Sequence, residues 1–182
     1  MALVRTPRES WVEEGLRALA AGGPDAVRVE SLARALGVTK GGFYWHFDDR
    51  STLLAEMLDA WEHIAVDEAI RQVDATPGDG RAKLTRLFGL ASSSTQLLKI
   101  ELAVRDWARR DKAVARRLKR VDNRRMDYMR ALFGDFCKDE ADVESRCLVA
   151  MCLFIGSNFV VADHRGRSRA DVFADTVRRL ME

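Results

Sequence analysis

Cysteine, proline and histidine are scarce in this 182-residue chain, with three of each. Cys137, Cys147 and Cys152 are odd in number and lack a CxxC spacing, which argues against both a disulfide framework and a structural zinc site. Cys147 and Cys152 also sit in an apolar stretch, where thiols are usually inert. So few prolines, with no low-complexity run, argue against disorder. His46, His63 and His164 lie far apart, no HExxH or GxSxG occurs, and no glycine-rich loop follows a strand-like run. His63 and Asp67, four residues apart, share a helical face but have no third ligand in view, so an ion pair is the simpler account. Accordingly no catalytic residues, metal or cofactor are expected. Long hydrophobic runs are missing too. "CLVAMCLFIG", from Cys147, is half of the roughly 20 residues that a membrane span needs. The opening "MALVRTPRESWVEEGL" meets Arg5 and Arg8 before any apolar signal core can form. A cytoplasmic chain with no membrane partner is expected.

What is present favours helix. The chain is 47% hydrophobic and 32% charged, rich in Ala, Leu, Arg and Glu, and without the alternation that marks strands or any repeat of constant period. The net charge of +2 is unevenly spread. Residues 1–50 carry seven basic and seven acidic side chains, whereas 99–130 carry twelve and five. In that second stretch Arg116, Arg117, Lys119, Arg120, Arg124 and Arg125 make a basic helical face. With Asp111, Asp122 and Asp127 interleaved, it reads as a solvated surface before it reads as a second nucleic-acid site.

The spacing predicts a first helix over 8–21, closed by "GGP" at 22–24, with Trp11, Leu16 and Leu19 on one face. In "VESLARALG", Val29, Leu32, Ala33 and Leu36 follow helical spacing, and Gly37 falls where a helix C-terminus needs a left-handed residue. Val38 is an apolar plug, and Thr39 is a suitable N-cap for a third helix, "KGGFYWHF". Helix, three-residue turn, helix is the sequence form of a helix-turn-helix, whose second helix enters the DNA major groove. Thr39 and Lys40 then bring a hydroxyl and a cation to a helix N-terminus suited to phosphate. Gly41 and Gly42 weaken the helix by about 1 kcal/mol each but let the backbone lie close against DNA. A neutral reader requires its acids, Glu9, Glu13, Glu14 and Glu30, to lie away from the groove and Arg5, Arg8, Arg28, Lys40 and Arg50 towards it. Helical periodicity resumes at Asp49 and lasts to "ATPGDG" near Thr76. Further helices are predicted over 80–94, 97–110, 112–136, 140–163 and 168–181.

The run Val29 to Leu54, "VESLARALGVTKGGFYWHFDDRSTLL", resembles the tetracycline-repressor-like (TetR/AcrR) family of transcriptional regulators. The family frame fits at Ala33, Gly37, Val38, Thr39, Tyr44, His46, Phe47, Asp49, Arg50 and Leu53. The resemblance implies an all-α fold with a three-helix helix-turn-helix domain at 1–50. A long helix would join it to a C-terminal ligand-binding and dimerisation domain at 51–182. It further implies that Thr39, Lys40, Gly41, Tyr44, Trp45 and His46 face DNA, Lys40 on phosphate or a guanine edge and Tyr44 on phosphate. Arg50 would clamp the backbone, and Arg28, where relatives carry Thr or Ser, would trade a helix cap for a phosphate contact. Gly42 replaces a small polar residue and removes one candidate base contact. Phe43 and Phe47 are expected in the core.

A ligand-responsive regulator of this kind needs an apolar pocket. Trp61, Phe88, Leu102, Trp107, Met126 and Met129 are its candidate lining, although residues of these types at helical spacing more often fill a core, with Lys99, Glu101 and Asp106 as polar candidates. "CLVAMCLFIGSNFVV" is apolar nearly all round. With the last helix it suggests a homodimer interface at Met151, Phe154, Ile155, Phe159, Phe173, Val177 and Leu180, since palindromic half-sites demand a two-fold dimer. The expected function is a repressor that leaves a palindromic operator when an unidentified small molecule binds. A helix-turn-helix used as a protein platform, an activating role and an enzyme carrying a DNA-binding module stay open as alternatives.

Overall fold

The structure, a computed structural model, describes residues 6–182, and among them every regular element is helical. The helices are α1 (Arg8–Gly22), α2 (Val29–Ala35), α3 (Lys40–Tyr44), α4 (Arg50–Glu62), α5 (Ala69–Asp74), α6 (Gly80–Ser93), α7 (Thr95–Ala108), α8 (Lys112–Gly134), α9 (Glu140–Gly156) and α10 (Arg169–Leu180). A 3₁₀ turn, Pro24–Ala26, follows α1, and a π-helical turn, His63–Glu68, lies between α4 and α5 in the chain. Side-chain caps fix several starts. Asp49, Asp79, Asp139 and Ser168 accept from backbone N–H groups in the first turns of α4, α6, α9 and α10, at 2.8, 2.9, 3.0 and 3.1 Å. Each satisfies a donor the helix itself cannot.

Two compact units emerge. The first takes the chain up to Asp67 together with Thr95–Val121, and the second Glu68–Ser94 with Asp122–Glu182. These are divisions by packing, whereas 1–50 and 51–182 divide the chain by expected role. In the first unit α1 is the centre, packed on α2, α4 and α7. Trp11, Leu19, Val27, Phe43, Leu53 and Met57 are fully buried there. The α1–α4 crossing is close: a Cβ on Gly15 would lie 2.5 Å from Met57 Sδ. The second unit is built on Leu84, Phe88, Met129, Leu132, Phe133, Cys147, Ala150 and Val177.

The predicted helix 140–163 ends early, at Gly156. Asn158 folds back so that its Nδ2 donates to the Phe154 carbonyl at 2.8 Å, taking an acceptor the helix end leaves open. A tight turn follows, with Arg165 at φ 49° and Gly166 at φ 83°. The apolar residues Phe159, Val160 and Val161 are left outside the helix and exposed.

Candidate nucleic-acid interface

The turn between α2 and α3 is fixed by backbone chemistry. Gly37, at φ 68°, donates to Arg34 O at 3.1 Å, and Val38 N donates to Ala33 O at 2.9 Å. This paired closure needs a left-handed residue, which glycine supplies without strain. Thr39 is the N-cap residue of α3, extended at φ −82° and ψ 155°, but its side chain makes no cap hydrogen bond, so the cap expected of it is positional only.

The aromatic run divides by face. Phe43 and Phe47 are 0% and 2% exposed. Phe43 stands edge-on to Trp11 at 5.4 Å between ring centroids and stacks on Phe47 at 5.1 Å. Tyr44 and Trp45 point outward, 54% and 72% exposed. Four rings within residues 43–47 cannot all face one side, so two are displayed. Lys40 and Gly41 are exposed beside them. Gly42 departs from the expected close approach to DNA. A Cβ there would meet Trp11 Cζ2 at 3.8 Å and Val38 Cγ2 at 4.0 Å, so this position looks into the module.

The cations are engaged within the chain. Lys40 Nζ lies 2.5 Å from Glu30 Oε1. That hydrogen bond raises the Lys40 ammonium above its ordinary pKa and holds the Glu30 carboxyl below its own. Both are half-exposed or more, so the pair is water-screened and exchangeable. Arg28 turns back to Asp25 O at 3.1 Å. Arg50 Nε donates to Val27 O at 2.6 Å and Nη2 to Pro24 O, bracing the 3₁₀ turn. His46 Nε2 lies 2.9 Å from Thr6 O, a carbonyl that can only accept, so this nitrogen carries the hydrogen. Arg8, expected towards the groove, is held by Glu56 and the His46 carbonyl. Arg5 lies outside the described residues. The long-range pairings were not legible in the sequence, Arg8 and Glu56 being 48 positions apart.

Residues 12–57 match the family profile "Bacterial regulatory proteins, tetR family". An HTH-type transcriptional regulator, AcrR of Shigella flexneri, is 31% identical over 81 residues, which span 44% of this chain and 38% of that regulator. Among solved structures, a protein described as a transcriptional regulator from Saccharomonospora viridis, solved with choline, superposes with TM-score 0.78 at 20% identity, covering 96% of this chain and 94% of that one. A TetR-family regulator from a Rhodococcus species superposes with TM-score 0.67 at 21% identity over 95% of each chain. Residues 12–57 thus match the tetR-family module, and the fold is similar to that of the regulators named. FadR of Bacillus subtilis, solved with stearoyl-CoA, shares the fold at TM-score 0.71 and 12% identity, over 97% and 98% of the two chains.

The remaining expected residues fall in separate places. Trp61, Leu102 and Trp107 belong to the first unit, and Phe88, Met126 and Met129 to the second. Trp61 Nε1 donates to the buried Glu101 at 3.1 Å, and Arg105 Nε donates to the same carboxylate at 2.8 Å. Phe88 and Met129 are core of the second unit, with Met126 against them. Val177 is also in that core, and Met151, Phe173 and Leu180 lean on it. Phe154 lies 5.7 Å under the Arg125 guanidinium, and Ile155 is half-buried. On α9 Leu148, Val149 and Cys152 are exposed, and Phe159 follows at 66% exposure. The basic face of α8 is partly neutralised: Arg117 pairs with Asp59, and Arg120 with Glu62 at 2.8 Å. His63 and Asp67 form an exposed pair at 3.3 Å. Among the described residues no cluster of three metal-ligating side chains occurs, and no helix is long and apolar enough to cross a membrane.

Proposed function

We propose that this protein is a cytoplasmic DNA-binding transcriptional regulator, acting as a homodimeric repressor that a small organic effector releases from its operator. Residues 1–50 are its DNA-binding domain, and 51–182 serve ligand binding and dimerisation. The observation that carries the reading is the display of Tyr44 and Trp45 beside Lys40 and Gly41, on a short helix anchored from below by Phe43. Tyr44, edge-on to Phe43 at 5.2 Å, and Trp45 turn most of their surface outward, which suits sugar-phosphate and base edges. Thr39, Lys40, Gly41, Tyr44 and Trp45 make the contacts, with Lys40 exchanging Glu30 for phosphate. Arg28, His46 and Arg50 flank the surface and secure it through chain carbonyls.

Dimerisation rests on α9. Leu148, Cys152 and Ile155 recur at intervals of four and three, followed by Phe159, and so trace one apolar side of the helix. Two such faces related by a two-fold axis would pair two readers with palindromic half-sites about 34 Å apart. The relatives solved with choline and with stearoyl-CoA support an organic effector. Trp61, Trp107 and Leu102, with Phe88, Met126 and Met129, are the residues through which it would act. Its binding must favour the released state by a coupling of roughly 1–3 kcal/mol.

The test is an anisotropy titration of duplexes recovered by selection from genomic fragments, at two salt concentrations. The expected result is tight, salt-sensitive binding by the wild type that collapses in Lys40→Ala/Tyr44→Phe. Equal weak binding by both proteins on every recovered duplex would defeat the proposal and favour a protein-binding platform.

A further inference from the structure

The strongest unassigned feature is the environment of Arg8, the first residue of α1. Its Nε lies 2.9 Å from Glu56 Oε2 on α4, and its Nη2 meets Glu56 Oε1, giving a side-on fork on the carboxylate. Nη1 donates to the carbonyl of His46, just past the end of α3. The guanidinium plane covers Phe47 at 4.4 Å from the ring centroid. Two residues earlier the chain makes a return contact, Thr6 O with His46 Nε2 at 2.9 Å. The start of α1 thus grips the exit of α3 and the middle of α4 simultaneously.

We propose that Arg8 is a positioning residue for the recognition helix, holding the α3 exit against α1 and α4 through His46 and Glu56 without itself contacting DNA. The proposal rests on the regulator reading above. Two features separate it from the simpler idea that Arg8 is one more phosphate cation. Its donors on the Glu56 edge and towards His46 are already engaged, and its charge is balanced by Glu56, so a phosphate would have to displace a bidentate partner. Three of its contacts also depend on the planar guanidinium: the fork, the carbonyl bond and the stack on Phe47. Lysine supplies charge but none of that geometry. The consequence for recognition is direct. Tyr44 and Trp45 are two and one residues from His46, so loosening the grip lets the displayed rings tilt relative to α4.

The two ideas give opposite signs for Glu56→Gln. If Arg8 were a phosphate contact, removing the competing carboxylate would free it, tighten DNA binding and steepen the salt dependence. If Arg8 is a clamp, the same change weakens binding. The experiment titrates wild type, Arg8→Ala, Arg8→Lys and Glu56→Gln with a selected duplex across a salt series. A parallel DNA-free measurement records amide hydrogen exchange over residues 40–47. Expected are roughly tenfold weaker binding for Arg8→Ala and Glu56→Gln, no rescue by Arg8→Lys, an unchanged slope of log K against log salt, and faster exchange at Phe43 to Phe47 in all three variants. The proposal is overturned by tighter binding of Glu56→Gln, by a slope that falls by about 0.9 in Arg8→Ala as loss of one phosphate contact requires, or by unchanged exchange. If the wild type binds no duplex, the regulator reading fails on its own. The exchange data still decide whether the clamp exists.

Discussion

Gly41→Ala should make the free protein more stable and its DNA binding weaker. A Cβ at Gly41 would meet Thr39 Oγ1 at 3.7 Å, with no other neighbour within 4 Å, so the chain itself has room for a methyl. Alanine gains up to about 1 kcal/mol over glycine within a helix. In a helix of five residues the gain is nearer half of that. At about 2–4 °C per kcal/mol for a chain of this size, the melting midpoint rises by roughly 1–2 °C. The added methyl sits on the exposed surface beside Lys40, where the proposed interface brings the backbone against DNA. A displaced backbone contact there weakens binding by about tenfold, or ~1.4 kcal/mol. Gly42→Ala is the internal control. Its methyl would face Trp11 and Val38 at ordinary contact distance, so it should stabilise similarly and leave affinity within about twofold. Paired thermal melts and anisotropy titrations read both effects. Gly41→Ala binding as tightly as wild type, or both variants losing affinity equally, would refute the assigned faces of α3.

Gly80→Ala should destabilise despite its better helix propensity, because a Cβ there would lie 2.0 Å from the Leu132 carbonyl oxygen, a backbone atom that cannot rotate away. A loss of about 3 kcal/mol, or roughly 6–12 °C in a melt, is expected, and a neutral outcome would contradict the packing of α6 on α8. The melting midpoint should also fall as pH drops below about 4. Asp49, held low by Ser51 and Thr52, Asp74 by Lys83, Glu144 by Arg130 and Asp175 by Arg167 all titrate below the ordinary carboxylate range in the folded state. Their contribution is complete above the unfolded value and is lost as pH falls through the lowered folded values, so a midpoint level between pH 5 and 3 would argue against these bonds. Among the three thiols, Cys152 is exposed, whereas burial pushes Cys147 up to about 11 and also raises Cys137. Thiol labelling near neutral pH should therefore mark Cys152 first in dilute protein and slow at Cys152 as concentration rises and α9 is covered. Concentration-independent labelling would argue against that interface.

The helix-turn-helix was legible because its signals are local. Val29, Leu32 and Ala33 set the buried face of α2, and Gly37 sets the turn, all within nine residues. What the sequence hid was long-range or non-periodic. "CLVAMCLFIG" has apolar residues on every side, so no period says which of them face inward. Packing on α10 places Cys147, Ala150 and Met151 towards the core and leaves Leu148 and Val149 outside. The early end of α9 depends on the Asn158 side chain returning to Phe154, a bond that spacing does not announce. Arg8 looked like a groove cation because charge is visible in a sequence and its distant partner is not.

The central claim is that the Tyr44–Trp45 face is where DNA sits, and tryptophan accessibility tests it most directly. The chain has four tryptophans. Trp11, Trp61 and Trp107 are 0%, 2% and 9% exposed, against 72% for Trp45, so the neutral quencher acrylamide reads Trp45 almost alone. Saturating selected duplex should abolish most of that quenching, and Trp45→Phe should remove it with or without DNA. Full binding by anisotropy with Trp45 still as quenchable as in the free protein would place DNA on another surface and contradict the account.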